Sequence, residues 1–301
     1  MNCSCSRASG TDATILTVIE EFVGKGHIFF YEQDRKPLFI TICAIGIVIL
    51  VATVLCLMCL NHANKNSITI ERNIAASVFI FELTYLITIL MNEQLVDNHF
   101  TLCKTVTLIL HFSSVSMFSW SFISSFHIYR MLTELRDINQ GTMTFYTALG
   151  FGIPAIVVIL TVGVSGHNYG GTEICWLSYT SASIWGMIAP EIICISFSIF
   201  FTLINIRTVF SVKTDLIDDL SMLRLLFFIN IGTIPLLIAV QVAAVLYINE
   251  VTDTLLYVYL SVALITAVYL CIGFVVCDKS LFRFAAASRR CLLYTSPSPR
   301  D

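Results

Sequence analysis

The sequence predicts an all-α membrane protein, a seven-transmembrane helix bundle with its N-terminus outside and its C-terminus inside. Three observations predict it. The 301 residues are 57% hydrophobic and 12% charged, with a mean hydropathy of +0.85, whereas a soluble domain is about a quarter charged. Seven largely apolar runs recur along the chain, each long enough to cross a bilayer core as a helix. Lys and Arg collect in alternate loops, the charge asymmetry that fixes orientation. A net charge of −3, from 17 Lys and Arg against 20 Asp and Glu, leaves no concentrated basic face for phosphates and excludes nucleic acid as a partner.

In chain order, residues 1–37 are expected to form an extracellular stalk. They lack the charged-then-apolar start of a signal peptide, and the first apolar run is too long and too far from Met1 to be the core of one. The bundle is expected over residues 38–277, with spans at 38–60, 74–91, 105–128, 145–164, 184–206, 225–248 and 255–277. Loops 61–73, 129–144, 207–224 and 278–290 hold 11 Lys and Arg, and the alternate set holds 5 beside 10 Asp and Glu. The first set is therefore cytoplasmic, although Arg35 and Lys36 oppose that assignment at one junction. Residues 278–290 open a cytoplasmic tail. Residues 291–301, CLLYTSPSPRD, translate a transposase sequencing adapter codon for codon and are expected to be an assembly scar.

Within the spans, polar residues carry the information. The third holds Ser113, Ser114, Ser116, Ser119, Ser121, Ser124 and Ser125, too many to face lipid all round. That marks it as the central helix, although serines also simply permit close helix packing. Glu82 in the second span and Glu191 in the fifth would each cost about 2.5–3.5 kcal/mol if left at mid-membrane. Both are expected to face the bundle interior and to find partners among the serine hydroxyls, with His111 completing an intramembrane polar core. His111 and His127 lie roughly 24 Å apart along one helix and cannot share a metal ion. Pro154, Pro190 and Pro235 are expected to kink spans four, five and six. No phosphate-cradling loop, HExxH or GxSxG appears, so no enzyme activity, cofactor or metal is expected. A transporter routing protons past Glu82 and Glu191 would need inverted repeats or half-helix breaks, and neither is visible.

Eleven cysteines are present. Cys43, Cys56, Cys59, Cys194 and Cys271 lie within spans and read as small packing residues, as does Cys277, with palmitoylation as its alternative. Cys103 and Cys175 fall in outer segments, an oxidising compartment, where a bridge would tie the loop between spans four and five over the bundle mouth. Cys3 and Cys5 form a second outer pair.

Two stretches carry a resemblance. HIYRMLTELRDINQGTMTFY at 127–146, running into ALGFGIPAIVVILTVG, and NYGGTEICWLSYTSASIWGMIAP at 168–190 closely resemble adhesion-type seven-transmembrane receptors, most nearly the flamingo (cadherin, EGF, laminin-G seven-pass) branch. The second span, ERNIAASVFIFELTYLI, is similar to the same superfamily more loosely. A rhodopsin-type DRY triplet and NPxxY are missing where they would stand. The resemblance implies a Cys103–Cys175 disulfide and an agonist cavity capped by Trp176 and including Phe118, Trp185 and Gln241. It implies a G-protein-facing surface of His127, Tyr129, Arg130, Met131, Leu132, Lys213 and Arg224, with Met131 or Leu132 inserting as an apolar plug. These residues equally suit a solvated, positively charged inner loop.

Cys3–Ser4–Cys5–Ser6–Arg7–Ala8–Ser9 resembles the family's self-cleavage motif, with Arg7 in place of His and Ala8 in place of Leu. The Ser9 hydroxyl would attack the Ala8 carbonyl with a base assisting, and arginine is a poor base. Ile15, Leu16, Val18 and Ile19 are the tethered-agonist candidates, with an ordinary stalk as the alternative. Val242 and the 265–269 stretch stand where the family carries a switch tryptophan and an Asn/Gln pair. The resemblance thus implies a multi-pass plasma-membrane receptor that passes an extracellular or tethered-peptide signal to a heterotrimeric G protein. Its rival is a signalling-poor membrane anchor for an adhesive ectodomain.

Overall fold

A computed structural model of the chain describes residues 37–59, 66–98, 100–134, 142–170, 175–177, 182–211, 220–249 and 252–276. Among these, seven helices are long and apolar enough to cross a membrane, and the only β pairing is one isolated antiparallel bridge, Tyr169 with Leu177. The helices are α1 (Pro37–Cys59), α2 (Asn66–Asn98), α3 (Phe100–Thr133), α4 (Thr144–Ser165), α5 (Trp185–Ser211), α6 (Leu220–Asn249) and α7 (Asp253–Cys271). A π-helical turn, Ile272–Val276, continues α7.

Several helices outrun the apolar stretches that announce them. α2 begins at Asn66, before the charged pair Glu71 and Arg72, and α3 runs through Arg130 to Thr133. Apolar runs end where the side chains turn polar, but backbone hydrogen bonding does not need an apolar side chain. The 34 residues of α3 reach roughly 50 Å at 1.5 Å per residue, well past a hydrocarbon core of about 30 Å.

α3 is the central helix. Its apolar window is 78% buried, against 11% for α4 and 17% for α5, and it packs on α2, α4, α5 and α6. Of its seven serines all but Ser124 are buried. The close contact with α4 depends on a missing side chain, because a Cβ on Gly150 would stand 2.3 Å from the Trp120 ring. Gly150 lies in a π-helical turn, Ala148–Gly152, and Pro154 follows in the first turn of the α-helical stretch Ile153–Ser165. A proline there has no N–H to give to the preceding turn, which the π turn accommodates. α5 and α6 continue through Pro190 and Pro235 without interruption.

Three apolar clusters stack along the bundle. One, at the end carrying Cys103 and Cys175, gathers Tyr85, Trp176, Val240, Tyr247 and Tyr259. The middle one joins Leu50, Ile74, Phe118, Trp120, Leu237 and Ala267. At the opposite end Ile128 and Leu132 of α3 meet Val209 of α5 and Leu223 and Phe227 of α6.

Candidate functional site: a capped end, a polar core and a cleft

The Cys103–Cys175 bond forms, with its Cα atoms 5.1 Å apart. It pins the loop before α5 onto the head of α3, and Tyr169, Cys175, Trp176 and Leu177 are all buried beneath that loop's surface. Gly170 makes the turn, at φ +71, with its backbone close against the Cys103 sulfur. That left-handed conformation disfavours a side chain. His111 fixes the same loop from below, its Nε2–H donating to the Gly186 carbonyl at 3.2 Å, so that Nδ1 accepts from the Tyr169 hydroxyl at 2.7 Å. Burial pushes the Tyr169 phenol up to about 12, with the Thr161 hydroxyl opposing that shift. Trp176 meets Tyr85 edge-on at 6.1 Å, Tyr85 packs on Tyr259 at 4.6 Å, and the Tyr85 hydroxyl donates to the Ala244 carbonyl at 3.1 Å. Trp176 is therefore buried against Tyr85 at the bridged end.

The other expected cavity residues do not gather round it. Phe118 is buried in the middle cluster, and Trp185 is 61% exposed, because the first turn of α5 presents it outward. Gln241 is buried, and its Nε2–H donates to Glu191 Oε1 at 3.4 Å. Its neighbour Val242 is 51% exposed, so the residue at the family's tryptophan position faces out while Gln241 faces in.

Glu191 accepts a second, short hydrogen bond from the Ser114 hydroxyl, so one carboxyl joins α3, α5 and α6. Glu82 departs from expectation. Its Oε1 has no partner, and its Oε2 lies against Gly46 of α1, where a Cβ would stand 3.5 Å away. The register of α2 aims it between α1 and α7 rather than at the serines. No hydrogen bond among the described residues joins Glu82, Glu191 and His111 to one another.

At the opposite end, Tyr146 of α4 joins two residues of α3. Its hydroxyl accepts from Arg130 Nη1 at 3.0 Å and is hydrogen-bonded to His127 Nδ1, also at 3.0 Å. Arg130 also pairs with Glu134 through Nε and Nη2 at 2.6 and 3.2 Å, and Tyr129 packs on Phe201 at 5.3 Å. Leu132, expected to project toward a partner, is buried against α5 and α6 instead, because helix α3 turns that position inward. Met131 lines a small cleft with Glu71, His127, Asn230, Thr233 and Phe274. Arg224 is half-buried, and its Nε lacks a partner. Lys213 and the tethered-agonist candidates Ile15, Leu16, Val18 and Ile19 lie outside the described residues.

Just above the cleft, α3, α5 and α6 share an amide network. The Ser125 hydroxyl donates to Asn230 Oδ1 at 2.9 Å, and Asn205 Nδ2–H donates to the Ser125 carbonyl at 3.0 Å. Asn230 Nδ2 and Asn205 Oδ1 are buried without partners. Sequence reasoning passed over both asparagines, although an amide inside a span is conspicuous on the grounds used for glutamate. It also passed over Tyr85, Tyr146 and Tyr169, which nothing distinguishes among 11 tyrosines.

Residues 35–276 match the family of 7 transmembrane receptors (Secretin family). The chain is 30% identical over 279 residues to the protocadherin-like wing polarity protein stan of Drosophila melanogaster, covering 93% of this chain and 8% of that protein. It is 32% identical over 267 residues to cadherin EGF LAG seven-pass G-type receptor 2 of Rattus norvegicus, covering 86% of this chain and 12% of the relative. With receptor 1 of Homo sapiens the identity is 40% over 142 residues, 47% of this chain and 4% of the relative. The chain thus spans about a tenth of the length of these relatives, or less. A bundle of seven apolar helices with a bridged loop at one end, together with these likenesses, makes the chain a multi-pass plasma-membrane receptor core and a member of the secretin family of seven-transmembrane receptors, in its flamingo branch of adhesion receptors.

Proposed function

We propose that this bundle passes an extracellular or tethered-peptide signal to a heterotrimeric G protein, with the bridged end outside and the cleft facing the cytoplasm. Two independent arguments support the orientation: a disulfide belongs to the oxidising side, and the Lys- and Arg-rich loops belong to the inner one. Residues 1–37 are then the stalk and residues 278–290 the start of the tail.

The observation that carries the reading is the seam of α3, α5 and α6 above the cleft. Leu132, Val209 and Phe227 close it with apolar contacts, and the amide network ties it with two polar atoms left unsatisfied. A buried unsatisfied polar atom costs about 1–3 kcal/mol. The closed packing is therefore marginal, and a ligand favouring the open packing by a few kcal/mol shifts the population. Opening would present the cleft, with Met131 at its edge, to the G protein, and Tyr129, Arg130 and Lys213 are the further residues proposed to meet it. Ile15, Leu16, Val18 and Ile19 are the plug that would enter beneath Trp176.

The test is G-protein activation in cells by the chain and by a variant with Ile15, Leu16, Val18 and Ile19 all changed to Ser. A basal signal lost in the variant supports both receptor and tethered agonist. No signal from either chain at normal surface level supports the rival, a signalling-poor anchor for an adhesive ectodomain. The outward-facing Val242 favours that rival, since it removes the usual switch from the interior.

A further inference from the structure

We propose that Tyr269 of α7 positions α6 as a lever: its hydroxyl, held on the backbone of α6, makes the crossing of these two helices the fulcrum that couples the bridged end to the seam. The proposal rests on the opening of the seam given above and names the contact about which α6 turns. Tyr269 closes the 265–269 stretch, which stands where the family carries an Asn/Gln pair. Its hydroxyl donates to the Ile229 carbonyl at 2.9 Å and lies 3.5 Å from the Phe228 carbonyl. The Thr233 hydroxyl donates to the same Ile229 carbonyl, at 2.9 Å.

The crossing is close because each side supplies a glycine. On α6, a Cβ at Gly232 would run into the Tyr269 hydroxyl and ring. In the π-helical turn that continues α7, a Cβ at Gly273 would stand 2.9 Å from Ile229 Cγ2. Small residues let two membrane helices approach backbone to backbone. The polar ties of α6 to α3 and α5 run between side chains and are looser. Ser125 holds Asn230 Oδ1 while Asn230 Nδ2 goes unpaired, and Gln241 reaches Glu191 only at 3.4 Å. When α6 moves, those ties give way first and its crossing with α7 persists.

α6 runs from Leu220 to Asn249 without a break, so a displacement on one side of the crossing is carried to the other. The inner arm, roughly 14 Å from Leu220 to Ile229, carries Leu223 and Phe227 of the seam. The outer arm, roughly 26 Å from Gly232 to Asn249, carries Val240, Ala243, Ala244 and Tyr247 of the cluster around Trp176. Ala244 is also where the Tyr85 hydroxyl bonds, at 3.1 Å. A small opening at the seam thus becomes a larger, opposite displacement in that cluster, and a push on the cluster reaches the seam by the same path.

The test needs no G protein. Backbone hydrogen exchange of the purified chain in lipid nanodiscs is followed over residues 240–249 after the inner arm has been loosened by Phe227→Ala or, as a milder change, Leu223→Ala. Exchange there is expected to rise several-fold. The same comparison in a Tyr269→Phe background is expected to lose that rise, and a disulfide closing the crossing is expected to restore it. The disulfide joins the sulfurs introduced by Ile229→Cys and Gly273→Cys, since a Cβ at Gly273 would lie 3.8 Å from Ile229 Cβ, the usual Cβ separation of a disulfide. Ile229→Cys alone is the control for the native Cys271.

Restoration by the disulfide separates positioning from folding, because a merely destabilised bundle would not regain the coupling. No rise with either inner-arm substitution overturns the lever. So does a rise undiminished by Tyr269→Phe, a rise abolished by the disulfide, or folded protein in which the disulfide does not form. Nucleotide exchange on G proteins by the same set keeps the two layers apart. The expected hydrogen-exchange pattern without nucleotide exchange sinks the receptor reading and leaves the lever, whereas nucleotide exchange without that pattern sinks the lever alone.

Discussion

Gly150 has no side chain because the Trp120 ring occupies the space one would need. Overpacking a tight contact costs about 1–3 kcal/mol, so Gly150→Ala is expected to lower the thermal midpoint of the purified bundle by several degrees, and an unchanged midpoint would show that the contact yields freely. Tyr169 gives a pH prediction. Its phenol is pushed up to about 12 in the fold from an unfolded value of about 10, so the folded form holds its proton more tightly. The stability this gives is complete below about pH 10 and is lost as pH rises through about 12. Tyr169→Phe removes that alkaline decline, and an unaltered decline in the variant would assign it elsewhere. Among individual residues, those that are expensive in a membrane were the ones visible in the sequence. Glu191 met Ser114 and Gln241 as its cost demanded. Glu82 obeyed the same rule as to burial but not as to partner, because composition does not say which way a helix is turned about its axis. Tyr146 left no trace at all, since its importance comes from standing beside His127 and Arg130.

Among the elements, the seam of α3, α5 and α6 is where the proposed opening would act. Polar contacts between membrane helices are worth about 0.6 kcal/mol on average. Ser125→Ala removes the hydroxyl that donates to Asn230 Oδ1 and leaves the buried amide in place without that bond, and a bias of that size multiplies a minor open population by roughly two to three. Basal nucleotide exchange is expected to rise by that factor, and a fall would show that the network belongs to the open packing instead. The seven spans were legible because burying twenty apolar residues dominates every local preference. Their ends were not, since α2 and α3 carry helical hydrogen bonding past Glu71, Arg72 and Arg130 into the polar region. The inward turn of Leu132 is another consequence: a residue near a helix end reads as exposed until the neighbouring helices are placed.

For the whole molecule, one covalent bond ties a loop to the central helix across 72 residues of chain. A disulfide typically contributes about 2–4 kcal/mol. Replacing Cys103 and Cys175 together by Ser is expected to lower the thermal midpoint and to expose the backbone around Tyr169 and Trp176 to hydrogen exchange. Unchanged protection there would mean that His111 and the Tyr85 ring suffice to hold the cap. At this scale the sequence is most transparent, because apolar length and charge asymmetry are sums over many residues and tolerate local error. The pairing of particular side chains rests on single positions and does not.

The central claim is that closing the seam holds the receptor core inactive and opening it admits a G protein. The most direct measurement is nucleotide exchange on purified G proteins by the chain in lipid nanodiscs, compared with Phe227→Ala, which removes the ring that closes α6 against Leu132 and Val209. The account predicts exchange on at least one class of G protein, raised several-fold by the substitution. Correctly folded protein that promotes no exchange in either form would contradict it and leave the bundle as an anchor.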